Sequence, residues 1–381
     1  MAELTQEFRD RLRLNLNKAI LLLCMLFVPS AAFGQSAETY IGGYGEMNYK
    51  HFDNGDLPRL DIDRFVLYLD HSFNNHWMFK SETEIEHVRI EGGAGGEIGL
   101  EQAYLDYHAK NWPGWRVGLI VLPIGIINQT HEPTTFYSVE RPLFDQAIIP
   151  STWREIGTGF YGNFSKQVSY QLYVSEGLKT EDINTESLDG AKQEGSAGAA
   201  TSDLLAGSDA SHPALSGKLN FEPFSGLEVG ASGYIERGYT QKLSRSFALG
   251  DLDAQYQNGP LRIRAEGAFI NTGDASDFRG VPREIAGGYG EISYDLFSLL
   301  GPEKSQLMTF VRYESYSFGE LTSLDPELLL TTLGWSNHYA ITGGFAFKPM
   351  NELILKADYR WTNRNAGLER REWALGAGYV Y

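Results

Sequence analysis

The chain has 381 residues, a formal net charge of −17 at pH 7, 13% aromatic residues and a single cysteine. An acidic chain without a basic run argues against a nucleic-acid partner, and one cysteine excludes a disulfide framework and cysteine-type zinc clusters. The mean hydropathy is negative, which argues against a bundle of membrane-spanning helices.

The first predicted element is an export signal over residues 1–34. Four basic side chains precede an apolar run over 19–28, and the small residues Ala32 and Gly34 follow it. This order of charged, apolar and small residues is typical of a secretory signal peptide, here cleaved after Gly34. The apolar run is shorter than the roughly 20 residues that a membrane-spanning helix needs. The alternative is a short N-terminal helix of a soluble domain.

Residues 35–381 are predicted to form one β-barrel domain, which lacks cysteine because Cys24 belongs to the signal. Apolar and polar residues alternate in segments of about ten residues, the length of a tilted membrane strand; Leu353 and Leu355 share one face of such a segment, and Lys356 takes the other. This alternation indicates strands with an apolar medium on one side and a polar one on the other. Sixteen segments begin near Tyr40, Leu60, Trp77, Ile98, Trp115, Ile156, Val168, Leu215, Leu227, Phe247, Leu261, Ile285, Leu307, Tyr339, Leu353 and Trp373.

Short and long connections alternate between these segments. The short turns lie near 74–76, 110–114, 165–167, 222–226, 257–260, 298–305 and 348–351. The long connections lie near 51–59, 91–97, 125–154, 177–213, 237–244, 271–284, 319–337 and 363–369. The pattern predicts an all-β fold, a transmembrane antiparallel up-and-down β-barrel of about sixteen strands, with short periplasmic turns and long outer loops. Closure leaves no strand edge unpaired in hydrocarbon.

The last predicted strand ends on an aromatic residue. Tyr379 and Tyr381 occupy alternate positions with Trp373, Leu375 and Ala377. A terminal aromatic of this kind resembles the signal that the outer-membrane assembly machinery reads.

The third long connection is unusually rich in bulky apolar residues, among them Phe136, Phe144 and Trp153. So much apolar surface is expected to pack against the inner barrel wall, where the loop would narrow the lumen; the alternative is a loop docked over a neighbouring subunit. The candidate residues at this constriction are His131, Glu132, Glu140, Arg141 and Asp145. The four charged ones could set the electric field there, or they could form salt bridges within the loop. No metal is expected at His131, because no second histidine has ligand spacing to it.

Sixteen strands leave a lumen too wide for barrel side chains to fill. The basic residues predicted to line it are Arg64, Lys80, Arg116, Arg262, Arg264, Arg312, Lys356 and Arg360. Acidic residues alternate with them, which predicts either a transverse field or many local ion pairs. Arg262 and Arg264 share one strand face and could attract anions; neutralisation by Glu266, Glu314 and Asp358 is the alternative.

A family resemblance rests on the third connection and the strand after it. The runs HEPTTFYSVERP, IIPSTW and EIGTGFYGNF resemble the phosphate-selective porin O/P-like family of outer-membrane porins, most densely over residues 115–175. The resemblance implies sixteen strands, a homotrimer, an inward third loop and basic residues that select anions. The mixed charge of the predicted lumen departs from that last feature.

The sequence therefore predicts a non-enzymatic outer-membrane porin of a Gram-negative-type bacterium. Its partners would be outer-membrane lipid, small hydrophilic solutes or ions (phosphate among the anions) and the assembly machinery, with no cofactor. Two alternatives stay open at this point: a structural or adhesive barrel, and a barrel enzyme, which would need a nucleophile with a base and an orienting group.

Overall fold

The computed structural model of the protein describes residues 37–53, 57–86, 97–110, 112–149, 152–177, 213–239, 244–272, 284–301, 305–318, 337–364 and 368–381. The predicted signal over 1–34 lies outside these residues. Within them, no helix has the length and apolarity needed to cross a membrane.

The described residues form sixteen strands in one closed antiparallel barrel, as predicted. Their bounds are β1 (Glu38–Phe52), β2 (Arg59–Ser72), β3 (Trp77–Glu86), β4 (Glu97–Tyr107), β5 (Gly114–Val121), β6 (Arg154–Asn163), β7 (Val168–Ser175), β8 (Ala214–Phe224), β9 (Leu227–Tyr239), β10 (Ser244–Asn258), β11 (Leu261–Asn271), β12 (Glu284–Asp295), β13 (Gln306–Phe318), β14 (Asn337–Met350), β15 (Leu353–Arg364) and β16 (Leu368–Val380). Each strand pairs with its neighbours in sequence, and β1 pairs with β16 to close the ring.

The closing seam joins the two ends of the barrel chain. The β1–β16 register runs from Tyr44 opposite Val380 to Phe52 opposite Glu372. Beyond the end of β16, the Gly43 amide donates to the Tyr381 carbonyl at 3.0 Å, and the Tyr381 amide donates back to Gly43 at 2.8 Å. The seam therefore pairs residues 43–52 of the first strand with residues 372–381 at the end of the chain, which meets the requirement for a sheet in hydrocarbon along that length.

The two faces of each strand meet different surroundings, which confirms the predicted alternation. On β15 the outward side chains of Leu355 and Tyr359 are 44% and 46% exposed, whereas Lys356, Asp358 and Arg360 point inward and are buried. Outward apolar side chains on other strands include Leu69, Leu105, Phe160, Leu219, Leu252, Ile263, Val311 and Phe345. This distribution is the reverse of a water-soluble barrel, since the apolar surface is outside.

Short turns gather at one end of the barrel, here the turn end, and the longer connections at the other, the loop end. One turn contains a 3₁₀ helix over Leu296–Leu299, capped by the Asp295 side chain, which accepts from the Phe297 amide at 3.1 Å. Aromatic rings cluster at the turn end, where Trp77 lies 4.9 Å from Tyr107 and 5.9 Å from Trp115 between ring centroids. Aromatic girdles of this kind mark membrane interfaces.

Two connections at the loop end are shorter than predicted. Residues 240–243 separate β9 from β10, and 365–367 separate β15 from β16. Backbone pairing continues past the alternating stretches that the sequence reveals, since the ladders reach Tyr239 opposite Ser244 and Arg364 opposite Leu368.

Candidate functional site

The connection between β5 and β6 enters the barrel instead of leaving it. Its described residues, 122–149 and 152–153, are called the inner loop. The side chain of Asn128 fixes the point of entry. Its Nδ2 donates to the backbone carbonyl of Leu122 at 2.8 Å, and its Oδ1 accepts from the backbone amide of Trp153 at 2.7 Å. Gly125 has φ +71°, and a Cβ there would lie 2.3 Å from a carboxylate oxygen of Glu266. The inward turn therefore needs glycine at this position.

One side of the inner loop packs on the barrel wall through apolar contacts. Its buried residues include Ile124, Ile127, Phe144, Ile148 and Trp153. They meet wall residues that include Tyr234, Phe247, Leu249, Ile270, Ile285 and Tyr289. Each such side chain contributes about 1.5–3 kcal/mol when removed from water. The inward position of the loop is thus confirmed, and its bulky residues are what holds it there.

Wall side chains also satisfy the backbone of the inner loop. Glu266 accepts from the Ile126 amide and Glu314 from the Phe144 amide, each at 3.0 Å. Lys218 donates to the Gly125 carbonyl at 2.7 Å. Buried backbone groups need partners, and the loop supplies only some of its own, such as the bond from the Thr130 amide to the Ile127 carbonyl. Phe144 lies in the first turn of the short helix α1 (Leu143–Ala147), which the sequence did not predict.

Glu140 joins the inner loop to the opposite wall. Its carboxylate pairs with Lys50 of β1 and with Arg360 of β15, the latter at 2.9 Å. Burial by itself would raise the pKa of Glu140, but the charges of Lys50 and Arg360 outweigh it and lower the pKa to about 2. Arg360 also pairs with Glu372 at 3.1 Å, so one network connects the loop with three strands.

Arg312, a predicted pore-lining residue, is wholly buried beneath the inner loop. It pairs with Glu314 at 2.9 Å and Glu291 at 3.2 Å, and donates to Ser138 of the loop at 2.7 Å. A charge with no solvent contact requires such partners. Arg312 therefore anchors the loop and does not face the open lumen.

The other predicted pore-lining residues near β2–β5 form local ion pairs. Arg64 pairs with Glu46 at 2.7 Å and with Glu84 at 3.5 Å. Lys80 lies 3.9 Å from Asp70, and Arg116 lies 2.9 Å from Asp106. Of the two arrangements open from the sequence, local pairing is the one that these residues adopt.

Arg262 and Arg264 do not form such ion pairs within the described residues. The acids expected to neutralise them accept hydrogen bonds from the inner loop instead. Glu266 and Glu314 accept from loop amides, and Asp358 accepts from the Val139 amide. Arg262 donates to the Tyr137 hydroxyl at 2.5 Å, and Arg264 donates to the Thr135 carbonyl at 2.8 Å.

Lys348 completes this basic group and was missed by the sequence analysis. Its Nζ donates to the Thr134 carbonyl at 2.5 Å. Within the described ranges, Arg262, Arg264 and Lys348 each lack a carboxylate within ion-pair distance, and all three are only partly buried. We call them the basic cluster; it lies under the inner loop towards the turn end. Lys356, close by, places its Nζ 3.6 Å from the centroid of the Phe136 ring and is buried.

The predicted constriction residues are mostly turned into the packing around the loop. Arg141 donates to the Thr152 hydroxyl at 3.4 Å, and Asp145 in α1 is buried. His131 is 3% exposed and faces Glu82 of β3 and Glu101 of β4. Of these five predicted residues, only Glu132 and Glu140 are partly exposed.

An open cavity of about 930 Å³ lies beside the inner loop at the turn end. The side chains that define it include Gln102, Tyr104, Arg116, Gln129, Tyr161 and Gln171. Gln129 of the loop and Gln171 of β7 exchange amide hydrogen bonds at 2.9 and 3.2 Å. These uncharged polar groups were not predicted, because only charged residues mark a lumen-facing position clearly in the sequence.

A closed sixteen-stranded barrel with an apolar exterior, a charged interior and an inward loop defines the class of outer-membrane barrels. The outer membrane channel DcaP of Acinetobacter baumannii has this fold: the TM-score is 0.56 at 12% identity, over 92% of this chain and 100% of that one. The trimer form of OmpT, an outer membrane protein of Vibrio cholerae, gives 0.54 at 10% identity, over 91% and 100%.

The chain belongs to the same family as an uncharacterized protein of Aquifex aeolicus (strain VF5). The two are 33% identical over 340 residues, which are 84% of this chain and 74% of the relative. No family model matches the chain. The resemblance to the phosphate-selective porin O/P-like family therefore stays a prediction.

The Glu140 network predicts that docking of the inner loop depends on pH. The folded-state pKa of about 2 lies below the ordinary 4.5, so the stabilisation is complete above about pH 4.5 and is lost as pH falls towards 2. Hydrogen exchange of loop peptides, corrected for intrinsic rates, is expected to show about 1.5–3 kcal/mol less protection at the acid end.

Glu140→Gln is expected to show the weaker protection already at pH 7, and little further change on acidification. Glu132→Gln, which removes one charge from the same loop without breaking this network, is the control and should behave like the unmodified protein. Equal protection in Glu140→Gln and the unmodified protein at pH 7 would contradict the role given to Glu140.

Proposed function

We propose that the protein is an outer-membrane porin, a water-filled channel for passive diffusion of small hydrophilic solutes and ions. One observation carries the proposal: the closed barrel is apolar outside and charged inside, and its own loop narrows the interior. A barrel of this size holds water unless something fills it. The inner loop fills part of it, which leaves a restricted polar passage.

The outward face supports a membrane position. Apolar side chains cover it, and aromatic rings cluster at the turn end. In water such a surface would drive aggregation. In a bilayer this surface contacts the acyl chains of the lipids. The barrel therefore spans the outer membrane with its turns towards the periplasm.

The cavity beside the inner loop indicates where solutes pass. Gln102, Gln129 and Gln171 offer both donors and acceptors there, and Arg116 offers a guanidinium already paired with Asp106. Hydrated molecules exchange water for such groups at little cost.

The basic cluster supports a preference for anions, phosphate included. Arg262, Arg264 and Lys348 donate to uncharged oxygens of the inner loop, and no carboxylate of the described residues lies within ion-pair distance of them. Uncompensated positive charge beside a narrow aqueous path raises the local concentration of anions. This proposal is narrower than the channel itself and is tested separately.

Export and assembly complete the proposal. Residues 1–34 are removed on export. Tyr379 of β16 and Tyr381 just after it are exposed, where the assembly machinery would read them. The mature barrel forms a homotrimer, in line with the trimer form in which OmpT of this fold occurs.

Planar bilayers test the channel and its selectivity together. The refolded protein is expected to give stepwise conductance, and under a salt gradient a reversal potential that favours anions and responds to added phosphate. Removing one charge of the basic cluster with Arg264→Gln should lower the anion-to-cation permeability ratio about fivefold. A unit charge about 8 Å away in water attracts an anion and repels a cation by about 0.5 kcal/mol each, so the two ions differ by about 1 kcal/mol.

Two variants control this measurement. Arg264→Lys keeps the charge and should keep the ratio. Arg371→Gln removes an exposed charge on the outer side of β16, paired there with Glu369, and should also leave the ratio unchanged. Steps without anion preference would retain the channel and remove the anion proposal. A folded barrel without conductance would contradict the channel proposal and favour a structural, adhesive or enzymatic barrel.

Native mass spectrometry of the protein extracted from outer membranes tests export and assembly. Its subunit mass should lack residues 1–34, and the assembly should contain three copies. Tyr381→Ala should reduce the yield of this form from membranes while refolding in detergent is unaffected. A subunit that retains the N-terminal segment, or a monomer in mild detergent, would be evidence against the corresponding step.

A further inference from the structure

Three buried ionisable side chains meet where the inner loop touches the wall formed by β3 and β4. Glu82 is 4% exposed, Glu101 0% and His131 3%. The His131 Nε2 atom lies 3.7 Å from an oxygen of Glu82 and 3.6 Å from an oxygen of Glu101. The three ligand-type atoms all lie within 4.8 Å of one another.

A β-bulge brings Glu101 into this group. The β3–β4 register passes from Glu82 opposite Gln102 to Thr83 opposite Leu100, so Glu101 has no partner of its own. Strict alternation would point Glu101 towards lipid, since Gln102 faces inward. The bulge turns both side chains inward, and bulges are typical of places where a strand re-aims a functional side chain.

The hydrogen bonds of His131 set which nitrogen faces the carboxylates. Its Nδ1 lies 2.8 Å from the carbonyl of Asn128, which can only accept, so Nδ1 carries the proton. Neutral His131 therefore presents the Nε2 lone pair to Glu82 and Glu101. Asn128 is itself fixed to Leu122 and Trp153, which holds the imidazole rigidly. Imidazoles that bind metals are oriented in this way by a backbone carbonyl.

The atoms that face each other have no hydrogen-bond partner within the described residues. This holds for both oxygens of Glu101, for one oxygen of Glu82 and for His131 Nε2. A charged N–H···O bond would span about 2.7–2.9 Å, which is shorter than the distances found. Two ligands each about 2.0–2.1 Å from a tetrahedral ion lie roughly 3.3–3.5 Å apart, which is closer to them. The second oxygen of Glu82 accepts from Gln102 at 2.6 Å, an orienting contact.

We infer that Glu82, Glu101 and His131 bind a divalent transition metal of the zinc type, which fastens the inner loop to β3 and β4. One imidazole and two carboxylates suit zinc better than magnesium or calcium, which prefer oxygen alone. The ion would neutralise two carboxylates that are otherwise buried side by side. The site does not depend on the channel proposal, because it concerns how the loop is held.

A proton on Nε2 is the competing occupant. Burial lowers the pKa of His131, but the carboxylates of Glu101 and Glu82 outweigh burial and raise it to about 10. A bare imidazolium would also join the loop to the wall. Metal content separates the two states, since only one of them contains zinc.

The test is zinc binding by the purified full-length barrel, stripped of metal with a chelator, reloaded with zinc and dialysed. Elemental analysis of the reloaded protein should give one zinc per chain, and zinc added to the stripped protein should raise the thermal midpoint. His131→Gln and Glu101→Gln should each weaken binding at least about tenfold, and Gln102→Leu, which releases Glu82, should weaken it roughly 10–100-fold. His108→Gln, which removes an exposed imidazole at the turn end, is the control and should bind like the unmodified protein.

Cobalt substitution keeps the test valid if a variant fails to fold. The unmodified protein loaded with Co²⁺ should show visible d–d absorption that zinc displaces. Zinc bound equally by His131→Gln and the unmodified protein, or no zinc and no cobalt spectrum at micromolar metal, would overturn the inference and leave the protonated imidazole as the link.

Discussion

A chain that crosses hydrocarbon must pair its own backbone amides and carbonyls, and the rest of this structure depends on that constraint. The barrel meets it by joining β1 to β16, with Gly43 and Tyr381 extending the ladder to the turn end. Once the ring is closed, each strand has one face towards lipid and one towards the interior. The apolar exterior and the charged interior both follow from this closure.

The same constraint recurs inside the barrel in another form. The inner loop is irregular, so its buried backbone groups are paired by wall side chains such as Glu266, Glu314 and Lys218. Many interior charges therefore hold the loop, as Arg312 and Glu140 do, and are already paired within the protein. What remains open is the basic cluster and the polar cavity near Gln129. The open polar surface inside the barrel thus consists of the groups that the inner loop does not use for its own contacts.

The sequence predicted whatever depends on period-2 alternation. Fifteen of the sixteen strand starts lie within three residues of their predicted positions, and β16 begins five residues before the predicted Trp373. The inward loop was also predictable, because residues such as Phe144 and Trp153 require burial. Pairings across the lumen were not, since Glu140 meets Lys50 and Arg360 only through the tertiary fold. The β3–β4 bulge was equally hidden: alternation assigns Glu101 to the wrong face.

A designed disulfide between the inner loop and the wall tests the central claim most directly. A Cβ added at Gly376 of β16 would lie 3.6 Å from the Cβ of Val139, within the range of about 3.5–4.5 Å that disulfides adopt. With Cys24→Ser, the pair Val139→Cys and Gly376→Cys should oxidise in the folded barrel. Val139→Cys with Ala377→Cys, whose side chain points outward, should not. A cross-link at 376 alone, seen as a mobility shift without reductant, is the expected result; no cross-link, or equal cross-linking at both positions, would contradict a loop seated inside the barrel.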